Sequence, residues 1–103
     1  MRTVMVSIGR NIGNEPMSRK DWLAFVNDAS DAIRAQGESP EFHFGTGIWD
    51  GISEESVHLT VYRDEITETY LYGVKNRLSI LASKYGQDAI ALTISEPILV
   101  IGA

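Results

Sequence analysis

The sequence predicts an α+β fold of ferredoxin-like βαββαβ order, an antiparallel sheet with two helices on one face. Three observations predict it. Two segments carry apolar residues at helical spacing, and four segments alternate apolar with polar residues. Their order along the chain has the split βαβ arrangement as its simplest solution. The 103 residues are the size of one domain, taken as 1–103, and are enough for a core without metal or disulfide staples.

Residues 2–8 read as a strand, because Val4, Val6 and Ile8 alternate with Thr3, Met5 and Ser7. Gly9 to Pro16 is rich in Gly and Asn and reads as a loop. Ser18 is a good helix N-cap, and Asp21 favours the first turn. Trp22, Phe25, Val26, Ala29 and Ile33 then form one apolar stripe on a helix over residues 19–36, which Gly37 ends and Pro40 keeps from continuing.

Glu41 to Trp49 alternates again, with Phe42, Phe44, Thr46 and Ile48 on one face and His43, Gly45, Gly47 and Trp49 on the other. Asp50-Gly51 is a hairpin-turn signal, and Ser56 to Arg63 is the partner strand, with Val57, Leu59 and Val61 inward. Thr67 caps a second helix that runs to Tyr85, with Leu71, Val74, Leu78, Leu81 and Tyr85 as its seam and Gly86 at its end. Asp88 to Ser95 is the last strand, with Ile90, Leu92 and Ile94 inward. After Pro97, the run Ile98-Leu99-Val100-Ile101 is apolar enough for a short fifth C-terminal strand.

The sheet face away from the helices holds Thr3, Met5, Ser7, His43, Gly45, Gly47, Trp49, His58, Thr60, Tyr62, Ala89, Ala91 and Thr93. A solvated face is expected to be rich in Lys, Glu, Arg and Asp, and this one has almost none. It is therefore expected to be covered, either by a second copy in a homodimer or by a ligand in a pocket. Met5, His43, Trp49, His58 and Tyr62 are the candidate interface or pocket residues. A plain neutral face is the bland alternative. Simple hairpin register sets His43 opposite His58, but with no acidic residue expected on that face, no metal site is expected.

The loop Gly9-Arg10-Asn11-Ile12-Gly13-Asn14 precedes a helix. Its backbone N–H groups, with Arg10 and Asn11, form a weak candidate for anion binding. It matches neither a P-loop nor a dinucleotide fingerprint, and it lacks the pattern of acylphosphatases, which share the topology. Glu54-Glu55 and Asp64-Glu65 read as solvated acidic pairs at strand ends. No acid–base pair or nucleophile stands out, so no catalytic residue is assigned.

The net charge is −5 and the nine Lys and Arg are scattered, which argues against a nucleic-acid binder. The absence of cysteine excludes disulfides, thiolate nucleophiles, zinc–thiolate sites and iron–sulfur clusters. No cofactor is expected. No apolar run approaches the ~20 residues that cross a membrane, and the N-terminal run is too short for a signal peptide, so the expected location is the cytoplasm.

Ser7-Ile8-Gly9-Arg10-Asn11, Met17-Ser18 through Asp21-Trp22-Leu23-Ala24-Phe25-Val26, Gly47-Ile48-Trp49 and Lys84-Tyr85-Gly86-Gln87-Asp88-Ala89-Ile90 together resemble a bacterial family of small proteins of unknown function. That family has a Gly-Arg loop, a helix opening with Trp and Phe, a Gly-x-Trp strand end and an aromatic-Gly-Gln before the last strand. The chain also resembles short hypothetical proteins of actinobacterial phages. The resemblance implies a fold and brings no catalytic residues. The leading expectation is thus a non-enzymatic interaction protein, homodimeric through the uncharged face and, if phage-encoded, acting on a host or phage protein in the host cytoplasm. The alternatives are a small-ligand binder or cofactor-independent enzyme of dimeric α+β barrel type, and an anion-binding module built on the Gly9–Asn14 loop.

Overall fold

The computed structural model describes residues 1–96, apart from the side chain of Trp49. The elements are β1 (Arg2–Gly9), β2 (Asn11–Ile12), β3 (Glu15–Pro16), α1 (Arg19–Arg34), β4 (Glu41–Trp49), β5 (Ile52–Arg63), α2 (Glu68–Lys84) and β6 (Ala91–Ile94). The main sheet has the order β4-β5-β1-β6 and every neighbour is antiparallel, as a split βαβ fold requires. The segment read as a loop contains a miniature hairpin, β2 with β3. The expected strand over 98–101 lies outside the described residues. Among the described residues no helix is long and apolar enough to cross a membrane.

Both helices start where their caps predict. Ser18 Oγ accepts from Asp21 N and Thr67 Oγ1 from Tyr70 N, each at 3.1 Å. α2 ends in a Schellman motif: Gln87 N donates to Ala82 O at 2.8 Å and Gly86 N to Ser83 O at 3.4 Å. Gly86 has φ 66°, which favours glycine. The helices bury Val4, Val6 and Ile8 of β1 and Val57, Leu59 and Val61 of β5 beneath Trp22, Phe25, Ala29, Val74 and Leu78. Phe25 is fully buried, edge-on to Trp22 at 6.2 Å and stacked on Tyr85 at 4.7 Å.

Three expectations need correction. β5 begins at Ile52, not Ser56, because the Asp50-Gly51 turn has only two residues and Trp49 pairs directly with Ile52. The last strand is shorter than 88–95, because residues 88–90 leave the sheet. The third concerns β4. Its helix-side residues Phe42, Phe44, Thr46 and Ile48 are exposed, and Phe44 and Ile48 keep 65% and 78% of their surface in solvent. Alternation says which residues share a face, but it does not say whether a helix reaches that far across the sheet.

The two helices are pinned by Asp28, which accepts from the Tyr85 hydroxyl at 2.5 Å and from Lys84 Nζ at 2.9 Å. The Tyr85 hydrogen bond, followed by that of Lys84, holds the Asp28 carboxyl below the usual carboxylate range. A depressed carboxyl contributes stability above its unfolded pKa of about 4, and that contribution is lost as pH falls through the folded value. Tyr85→Phe keeps the ring on Phe25 and removes the hydroxyl. It is expected to cost about 1 kcal/mol at pH 7, a modest figure because the Asp28 side chain is partly exposed. Urea unfolding at pH 7 and pH 3 checks this, with the difference from wild type shrinking at pH 3.

Candidate functional site

β1 outruns one of its neighbours. β5 follows it as far as Gly9↔Ser56, whereas β6 pairs only from Val4↔Ile94 to Ser7↔Ala91. Thr3 reveals which way the peptide groups point: its N–H donates to Ser95 Oγ at 2.8 Å and its carbonyl accepts from Ser95 N at 2.9 Å. Odd-numbered residues of β1 therefore turn their backbone groups toward β6. Gly9 shares that orientation two residues beyond the last pair with β6, so its N–H and C=O face a gap in the sheet. The chain from Gly86 to Ile90 arcs around the gap and leaves an open groove of about 700 Å³. Ser7, Gly9, Asn11, Glu54, Gln87 and Asp88 are among its lining residues. Its volume lies within the range of small-molecule sites.

Glu54 is the central side chain. With β5 starting at Ile52, period 2 puts Glu54 on the same face as Ser56 and His58, the face turned away from the helices. Its carboxylate lies where a side chain at position 9 would stand, since a Cβ built on Gly9 would be 2.5 Å from the Glu54 carboxyl carbon. Gly9 thus makes room for this carboxylate. One oxygen, Oε2, accepts from Asn11 N at 2.8 Å. Gln87, set in place by the Schellman turn, donates its side-chain amide to Asn11 O at 3.1 Å. Both peptide groups of Asn11 are thereby tied down, and Glu54 keeps a second oxygen for a ligand.

The pairing of the two histidines is as the turn predicts: His43 stands opposite His58. His58 Nδ1 lies 2.7 Å from Ser7 Oγ across β5 and β1, so an imidazole and a hydroxyl share a hydrogen bond at the edge of the groove. The expectation that this face lacks acidic groups is corrected twice, by Glu54 and by Glu41. The Glu41 carboxylate is 3.5 Å from His43 Nε2. Even so, among the described residues no group of three or more His, Cys, Asp or Glu is placed to hold a metal.

The remaining candidates do not meet in one place. Asn11 lines the groove. Met5, paired with Thr60 and Thr93, is half-buried in the middle of the sheet, and Tyr62, opposite Thr3, is exposed at its far end. Trp49 pairs with Ile52 at the hairpin tip, with His43 further along β4. Arg10 is spent on structure: its Nε donates to Met17 O at 2.8 Å and its guanidinium pairs with Glu55 at 3.0 Å. In this loop Asn11 N holds the protein's own carboxylate, Glu54, where the anion-binding reading would put an external anion.

No family model and no curated protein matches the sequence. Among solved structures, a phage SAM lyase in the apo state superposes with a TM-score of 0.67 at 19% identity, over 91% of this chain and 78% of that one. The phage SAM lyase in complex with S-methyl-5'-thioadenosine gives a TM-score of 0.67 at 18% identity, over 92% and 80%. At these identities the likeness is one of fold, and it extends over the α+β architecture described above. The expectation of a non-enzymatic interaction protein gives way here. The fold neighbour is an enzyme, and the open face carries a ligand-sized groove, so the small-ligand or cofactor-independent enzyme alternative fits better.

Proposed function

We propose that the chain is a small cofactor-independent enzyme that takes an adenosyl sulfonium into the groove beside β1 and cleaves it as a lyase. The observation that carries this reading is the Glu54 carboxylate on the floor of the groove, made possible by Gly9, in a fold like that of phage SAM lyase. A phage enzyme as fold neighbour also accords with the resemblance to small phage proteins.

The chemistry suits the residues. S-methyl-5'-thioadenosine is the thioether left when the four-carbon amino-acid arm of SAM departs from sulfur. As the carbon–sulfur bond breaks, its electron pair goes to sulfur, the positive charge there vanishes, and the substrate's own carboxylate oxygen bonds to the departing carbon, so that the four-carbon arm leaves as a five-membered lactone. The leaving group is neutral and needs no acid. The site has to attract a cation and then release an uncharged product, and the carboxylates of Glu54 and Asp88 in a chain of net charge −5 do both. Because charge disperses in the transition state, carboxylate contacts contribute more to substrate binding than to the rate. Glu54 and Asp88 therefore bind and orient. The Gln87 side-chain oxygen, which Asn11 does not use, and the peptide edge of Gly9, which faces the groove without a strand partner among the described residues, supply donors and acceptors suited to a base or ribose.

Gly9→Ala tests the reading with little risk to the fold, because the atoms nearest the new methyl belong to the far end of the flexible Glu54 side chain. With SAM as substrate and chromatography as readout, the wild-type chain is expected to release S-methyl-5'-thioadenosine. Gly9→Ala is expected to lose at least about tenfold in kcat/KM, a transition-state penalty of ~1.4 kcal/mol, at unchanged circular dichroism. A folded wild-type chain that leaves SAM intact contradicts the proposal.

A further inference from the structure

β4 is nine residues long, lies at the edge of the sheet, and among the described residues pairs only with β5. Every residue from Glu41 to Ile48 is exposed. On its helix side Phe42 and Phe44 stack on one another at 6.3 Å, with Ile48 further along, and no helix among the described residues covers them. Phe42 pairs with Leu59 and Phe44 with Val57, both fully buried, so the apolar surface continues outward from the core. A long edge strand in water is usually protected by Lys, Pro or a bulge. The sequence Glu41-Phe-His-Phe-Gly-Thr-Gly-Ile-Trp49 contains neither Lys nor Pro, and its pairing with β5 runs unbroken from Glu41↔Thr60 to Trp49↔Ile52. This differs from the surface the sequence singled out for self-association, which lies on the opposite side of the sheet.

The occupant is suggested by the chain itself. After Glu96 the sequence continues Pro97-Ile98-Leu99-Val100-Ile101, an apolar and mostly β-branched run suited to a strand. It follows β6, at the sheet edge opposite β4, with β1 and β5 between them. Those two intervening strands carry the helices on the same side as Phe42 and Phe44, so the direct way across that face is blocked within one chain. We propose that the chain self-associates by exchange of this segment: residues 98–101 of one copy add to the free edge of β4 of another, beside Phe42 and Phe44. Backbone hydrogen bonds along the edge would give affinity, and the apolar stripe would set the register. The segment follows β6, at the edge of the sheet opposite β4, so every copy can give and receive, either in a reciprocal pair or around a ring.

The experiment is light scattering on three chains: the wild type, a chain ending at Glu96, and Phe44→Asp. Phe44 is 65% exposed, so the substitution leaves the core alone, and circular dichroism confirms that each variant is folded. The wild type is expected at twice 11.4 kDa or a higher multiple, and both variants at the single-chain mass. A wild type of single-chain mass at 100 µM and above overturns the proposal, as does association that survives either change. Because the chain has no cysteine, a mixture of Phe44→Cys and Leu99→Cys chains adds a direct check. Under mild oxidation it is expected to yield a disulfide-linked pair of one of each, and failure of that pair to form in an associated sample overturns the exchange.

Discussion

Glu54→Gln is expected to weaken binding of SAM at least about tenfold while leaving the melting temperature nearly unchanged. The substitution keeps the shape of the side chain and an oxygen for Asn11 N, which donates to Oε2 at 2.8 Å, and removes the charge. A tenfold loss is ~1.4 kcal/mol, the scale of one hydrogen bond or ion contact to a charged ligand in a half-open site. The neutral thioether S-methyl-5'-thioadenosine should feel the change less, because it offers the carboxylate no cation. Titration calorimetry of both ligands against both chains separates the two contributions. Raising the salt from 0.05 to 0.5 M should reduce wild-type affinity for SAM and barely move that for the thioether. Equal losses for the two ligands would assign Glu54 to the ribose or base instead of the sulfonium.

The second large effect concerns stability. Phe25→Ala is expected to cost about 4 kcal/mol, the usual size for emptying a fully buried aromatic site. Phe25 has no exposed surface, and it loses an edge contact with Trp22 and a stack on Tyr85 at the same time. For a domain of this length the melting temperature should fall by roughly 20 °C. Thermal unfolding followed by circular dichroism measures it. A fall of only a few degrees would mean that Trp22 and Tyr85 close over the gap. The contrast with Phe44, equally aromatic but mostly exposed, separates residues that hold the fold from those available to a second copy.

Much of this was legible in the sequence because period and caps act locally. Ser18, Thr67 and Gly86 mark helix ends through hydrogen bonds that span only a few residues. The Asp50-Gly51 turn forces His43 opposite His58. Glu54 could have been found from the same turn. A two-residue loop requires β5 to begin at Ile52, and counting by twos from Ile52 sets Glu54 on the face with Ser56 and His58. Placed at a strand end ahead of Ser56, it reads as a solvated acid. Gln87 and Asp88 were visible as part of a motif, but their role depends on β6 stopping at Ala91. That early end, and the uncovered state of β4, depend on where the helices and the arc 86–90 pack in three dimensions. No local pattern encodes either.

Whether the groove beside Gly9 is a ligand site is decided by titrating the isotope-labelled chain with S-methyl-5'-thioadenosine while following backbone amide resonances. Saturable shifts are expected at Gly9, Asn11, Glu54 and Gln87, with His43 and Tyr62 little affected. No shift at millimolar ligand, or shifts centred away from those four residues, would contradict a ligand site in the groove.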